Sequence, residues 1–121
     1  MAVAGDRKID YIELPARDLE RAKQFYGEVF GWSFEDFGTE YTAFNDGRLD
    51  GGFFKSELCA STANGSALVV LYASELEATM QRVTEAGGAI AQEIFSFPGG
   101  RRFHFTDPNG NELAVWSDAG L

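Results

Sequence analysis

Residues that serve metal and redox chemistry are scarce in this sequence. Histidine occurs once, as His104, and cysteine once, as Cys59. A lone cysteine excludes an internal disulfide. A lone histidine excludes, within one chain, the multi-imidazole sets that commonly hold zinc or iron. Basic residues are also few: 10 Lys and Arg against 19 Asp and Glu leave a net charge of −9. Such a surface repels polyphosphates and anionic lipid, so neither nucleic acid nor a membrane is an expected partner. No apolar run approaches the ~20 residues of a membrane-spanning helix. Residues 1–8 lack the apolar centre of a secretory leader, and the expected compartment is the cytoplasm.

Aromatic residues, by contrast, are abundant: 11 Phe, 4 Tyr and 2 Trp among 121 residues. A chain of this length and composition can bury a core, and one domain covering residues 1–121 is expected.

The pattern along the chain is a strand, a helix and three strands, twice. Ile12 and Leu14 alternate with Ile9, Tyr11 and Glu13, the period of a two-faced strand. Asp18 is placed to cap a helix whose stripe is Leu19, Ala22, Tyr26 and Val29, and Gly31 is placed to end it. Strands are expected near 32–37, 41–44 and 49–54, with Asn45-Asp46-Gly47 as a hairpin turn. Residues 55–66 are small and polar and read as a linker. The pattern then restarts. Residues 67–72 form a strand, and Ser74 with Glu77 reads as a capping box. Leu76, Met80 and Val83 stripe a helix stopped at Gly87-Gly88, and strands follow near 89–94, 101–105 and 112–116. The last two flank Asp107-Pro108-Asn109-Gly110, a β-turn with Asp first, Pro second and Gly last.

An offset of 57 lays Leu14 on Leu71, Leu19 on Leu76, Gln24 on Gln81, Glu28 on Glu85 and Gly31 on Gly88. The simplest architecture is α+β: tandem βαβββ modules, 8–54 and 67–117, forming a curved mixed sheet around a cleft. Helices cover one sheet face. The other face would line the cleft with Tyr11, Glu13, Leu68, Val70, Ala114 and Trp116, the expected ligand-binding residues.

Two stretches carry a family resemblance. Tyr11-Ile12-Glu13-Leu14-Pro15, followed by Asp18-Leu19-Glu20-Arg21-Ala22-Lys23, Phe25-Tyr26-Gly27 and Val29-Phe30-Gly31-Trp32, resembles the opening of the vicinal oxygen chelate superfamily. That superfamily includes glyoxalase I, extradiol dioxygenases, and bleomycin- and fosfomycin-resistance proteins. Phe105, Asp107-Pro108-Asn109-Gly110-Asn111 and Leu113 resemble its closing signature. The resemblance implies a homodimer, with a cleft inside one chain or shared between two. It also implies four metal-ligand positions, which by motif spacing are Tyr11, Gly51 (with Asp50 one residue away), Leu68 and Ala114. Leu and Ala have no donor atom, and a divalent metal needs imidazole or carboxylate. No cofactor is therefore expected, and the usual metal-dependent chemistry is disfavoured.

The expected function is binding of a small organic molecule in an aromatic-lined cleft, as in bleomycin resistance. The alternative is a lyase, isomerase or dioxygenase with an unconventional or metal-free site. Glu13, Tyr11 and His104 are the candidate catalytic residues for that alternative: a carboxylate base, an orienting hydroxyl and an acid–base imidazole. Each also has a structural reading. Glu13 can be satisfied within the sheet, Tyr11 can fill space, and His104 can be hydrogen-bonded core. Trp116 reads as a stacking platform or a plug. The segment Phe97-Pro98-Gly99-Gly100-Arg101-Arg102 has glycines that allow close backbone approach to a ligand and two arginines able to hold a carboxylate, but it reads first as a hairpin loop with solvated charges, and Cys59 as incidental.

Overall fold

A computed structural model describes residues 5–119. The first module comprises β1 (Tyr11–Ala16), α1 (Leu19–Phe30), β2 (Ser33–Asp36), β3 (Tyr41–Asn45) and β4 (Asp50–Lys55). A short 3₁₀ turn at Thr62–Asn64 lies in the connection. The second module comprises β5 (Val69–Tyr72), α2 (Leu76–Glu85), β6 (Ala89–Phe97), β7 (Gly100–Thr106) and β8 (Glu112–Ser117). Each module folds into a four-stranded mixed sheet, and the strand orders match: β1-β4-β3-β2 and β5-β8-β7-β6. In each, the first strand runs parallel to the last and the other pairings are antiparallel. The α+β class and the duplicated topology agree with the sequence pattern.

Local chemistry sets the helix ends. Asp18 stays extended, and its carboxylate accepts from the Arg21 amide at 3.1 Å. Gly31 closes α1 at φ 74°, a conformation that costs glycine little. The second helix departs from expectation. Glu75, not Ser74, stands at its N-cap and makes no side-chain cap bond. Glu77 pairs instead with Arg101 of β7 at 2.6 Å, so the capping box does not form.

The helix-covered faces of both sheets share one core. Phe25, Tyr26 and Phe53 from the first module, with Phe103, Phe105 and Leu113 from the second, are at most 1% exposed and belong to one cluster. The Phe25 and Phe30 rings lie 5.7 and 5.9 Å from Phe105. Burying each such side chain contributes about 1.5–3 kcal/mol.

The closing turn joins the modules. The Asp107 carboxylate accepts from the Asn109 and Asn111 amides at 2.8 and 3.0 Å, and from the Tyr26 hydroxyl of α1 at 2.8 Å. Asn109 exchanges hydrogen bonds with the Asp18 backbone, and Asn111 donates to the Pro15 carbonyl at 2.7 Å. Burial holds the Asp107 carboxyl above its ordinary value, although these donors pull the other way. Burial also pushes the Tyr26 hydroxyl well up, and the Asp107 charge adds to it.

Candidate functional site

Strand register decides which residues share a face. Tyr11 pairs with Asp50, Ile12 with Gly51 and Glu13 with Gly52. Gly51 therefore lies on the covered face with Ile12, beneath the Phe44 ring. This corrects its expected place among the open-face positions. The β4 counterpart of Ala114 on the open face is Gly52, since Val70 pairs with Ala114 as Glu13 pairs with Gly52.

On the first open face, Tyr41 reaches from β3 across the sheet. Its hydroxyl donates to Glu13 Oε2 at 2.9 Å and lies 2.5 Å from the Tyr11 hydroxyl. Gly52 makes this possible, because a Cβ there would collide with the Tyr41 hydroxyl. Desolvation first, then the bonds to Tyr11 and Glu13, raises the Tyr41 hydroxyl far above its ordinary value, so it stays protonated. The proton count follows. Tyr41 gives its one proton to Glu13, so Tyr11 gives its own to Tyr41. The Tyr11 lone pairs and Glu13 Oε1 remain as acceptors. Glu35 and Asp50 share this face, and none of its strand positions carries Lys, Arg or His.

The second open face is built differently. His104 pairs with Ala114 and Arg102 with Trp116 across the β7–β8 ladder. His104 is 3% exposed and Ala114 is 0% exposed. His104 Nδ1 lies 2.8 Å from Glu112 Oε2. Glu112 Oε1 accepts from the Thr62 amide and hydroxyl at 2.9 and 2.8 Å. The connection that reads as a linker is thus docked on this sheet. The bond from His104, then that from the Thr62 amide, holds the Glu112 carboxyl below its ordinary value. Arg102 lies over the Phe95 and Phe97 rings, 5.2 and 5.7 Å from their centroids. It belongs to β7 and is half-buried, which corrects its assignment to a solvated loop.

The residues expected to line one cleft are thus divided. Tyr11 and Glu13 belong to the first open face, while Val70, Ala114 and Trp116 belong to the second. Leu68 precedes β5 and is half-buried. A groove of about 930 Å³ does open between the modules, beside the edge strands β1 and β5. It is rich in rings (Phe30, Trp32, Phe44, Tyr72 and Trp116), and Val70 also lines it, but Tyr11, Glu13, Leu68 and Ala114 do not. Tyr41 escapes the sequence reading, and Arg102 is misplaced by it from strand to loop. The two-residue period through Tyr41, Ala43 and Asn45 is the signal for the first. A tighter turn centred on Pro98-Gly99 is the signal for the second.

The residues do not fit the metal of the resemblance. With Gly52 in place of Gly51, the four positions are Tyr11, Gly52, Leu68 and Ala114, and three lack any side-chain donor. Among the described residues, no three of His, Cys, Asp and Glu gather closely enough to hold a metal ion.

Paired βαβββ modules with open, curved sheets define a fold class shared with solved structures. A fosfomycin resistance protein from Mesorhizobium loti aligns with TM-score 0.74 at 16% identity, over 92% of each chain. A lactoylglutathione lyase from Agrobacterium tumefaciens aligns with TM-score 0.69 at 22% identity, over 92% of this chain and 93% of its own. In sequence, a glyoxylase-like domain-containing protein of Didymella fabae is 31% identical, over 89% of this chain and 93% of its own. Residues 8–115 match the family model, and the chain belongs to the Glyoxalase/Bleomycin resistance protein/Dioxygenase superfamily. Among the described residues, no helix is long and apolar enough to cross a membrane.

Proposed function

We propose that this protein binds a small organic molecule without the superfamily's usual metal, using the Tyr11–Tyr41–Glu13 cluster of the first open face as its polar anchor. The observation that carries the reading is the proton count. Both hydroxyl protons are spent inside the cluster, so only acceptors face outward. Such an anchor takes a ligand that brings donors, an amine or a hydroxyl. The Tyr11 and Tyr41 rings offer flat apolar surface beside it.

A second copy of the chain completes the cleft in this reading. The edge strands β1 and β5 are each unpaired on their outer side. Ile9 is 80% exposed, Tyr11 and Val70 43%, and Tyr72 52%. Covering them sets the first open face of one chain against the second open face of its partner. Sedimentation should then give twice 13.3 kDa. A monomer at micromolar concentration would remove the shared cleft.

A thermal-shift panel of aromatic amines and alcohols, repeated on Tyr41→Phe, tests the anchor. Amines should stabilise the parent and lose roughly tenfold in affinity in the variant, the effect of ~1.4 kcal/mol. No stabilisation by any panel member, or equal binding by the variant, overturns the reading. The same cluster favours a second reading, a metal-free lyase or isomerase. Glu13 would then receive a substrate proton passed along the two hydroxyls. Turnover lost in Glu13→Gln with ligand affinity kept would favour it over simple binding.

A further inference from the structure

We propose that the first open face binds an elongated aliphatic diamine laid across its strands, with one ammonium at Glu13 and the other at Glu35. Register sets the side chains of this face in parallel rows. One row runs Glu13, Gly52, Ala43, Glu35 over β1, β4, β3 and β2. It has a carboxylate at each end and only a Gly and an Ala between. Three strand spacings set the end Cα atoms roughly 14 Å apart. The neighbouring row runs Pro15, Phe54, Tyr41. Phe37 extends it, since its amide donates to the Tyr41 carbonyl at 3.0 Å and continues the β2–β3 ladder by one pair. This second row is apolar and open to solvent: Phe54 is 37% exposed and Phe37 57%.

The two rows together name the occupant. A carboxylate at each end calls for two cationic donors, and a single amine leaves one end unmatched. The acceptor at Glu13 is Oε1, because the Tyr41 hydroxyl takes Oε2. Tyr41 lies over Gly52, so its ring floors the half of the row beside Glu13, and Ala43 floors the other half. Ring faces attract ammonium groups and pack against methylenes. A run of methylenes between two charged ends therefore matches both rows at once. Asp50, on β4 of the same face, adds a third negative charge. Among the described residues, no Lys, Arg or His nitrogen lies within 4.0 Å of Glu13, Glu35 or Asp50. The charge on this face is thus complementary to a cation from outside the chain.

This inference rests on the reading above in taking Glu13 as an outward-facing acceptor; what it adds is Glu35 and the length of the ligand. Three probes are titrated into the unaltered protein. Decamethylenediamine is long enough to span the row. Tetramethylenediamine carries the same charge but is too short, and decylamine has the same chain but one charge. Calorimetry should find the long diamine roughly fivefold tighter than either, the effect of one exposed ion pair. The Ala43 and Glu35 amide signals should shift saturably with it in proton–nitrogen spectra. Equal affinity for the two diamines overturns the proposal in favour of diffuse attraction to a net charge of −9. Equal affinity for decylamine overturns it in favour of the rings alone, and no saturable binding overturns it outright. Glu35→Gln should bring the long diamine down to the affinity of decylamine. Glu28→Gln, the same charge change on α1 against the opposite face, should not. Both carboxylates are exposed, so neither substitution disturbs the core. An aromatic amine that needs Tyr41 but binds Glu35→Gln normally would leave the earlier reading standing while this inference fails. A long-diamine preference that needs Glu35 but survives Tyr41→Phe would do the reverse.

Discussion

The β3–β4 turn of the first module and the β7–β8 turn of the second occupy the same place in the repeat, yet their bonds run in opposite directions. The first closes on itself: Asp46 accepts from the Arg48 and Leu49 amides, and Asn45 from the Gly47 amide. The second reaches outward, from Asp107 to Tyr26, from Asn109 to Asp18 and from Asn111 to Pro15. The sheet faces differ in parallel. The first module leaves its polar cluster exposed, whereas the second buries His104 and Ala114 and has the connection docked at Glu112. A duplicated unit has thus divided two tasks. One copy presents groups to solvent, and the other holds the chain together.

The largest test of that division is a matched pair of substitutions. Asp107→Ala strips the acceptor from four buried donors and should cost about 3 kcal/mol or more, while Asp46→Ala should cost about 1 kcal/mol. Urea unfolding of both variants measures the difference, and equal losses would erase the contrast. A smaller effect separates two acids of the second module, one buried and one half-buried. The Asp107 carboxyl is raised, so its contribution is full in acid and is lost as pH rises through its folded value. The Glu112 carboxyl is lowered, so its contribution is full above 4.5 and is lost as pH falls. Stability profiles of Asp107→Asn and Glu112→Gln against the parent should therefore diverge with opposite slopes on the acid side. Parallel profiles would show that one assignment of sign is wrong. The smallest effect on stability belongs to the first open face. Gly52→Ala should push Tyr41 aside, and ultraviolet titration should find that hydroxyl ionising nearer its ordinary 10.0 than in the parent. An unchanged titration would mean that Gly52 does not seat Tyr41.

Much of this architecture was written locally. Asp18, Gly31 and the 107–111 turn act through their own side chains or backbone freedom, so adjacent residues reveal them. Strand alternation likewise placed Tyr11 and Glu13 together. What stayed hidden depends on partners distant in sequence. Glu77 forgoes a capping box because Arg101, 24 residues away, competes for its carboxylate. Gly51 and Gly52 are adjacent glycines that differ only in which face β1 assigns them. The His104–Glu112 pair was nearer to hand, since a tight turn at 107–110 already sets Ala114 opposite His104.

Gly52 also bears on what this chain can become. It is the open-face counterpart of Ala114, where the superfamily's metal enzymes need a donor, and Tyr41 already occupies the space a side chain would need. A donor gained at that position displaces the tyrosine, and a tyrosine kept there forbids the donor. The two designs are alternative states of one locus. Passage between them takes paired changes at Gly52 and Tyr41.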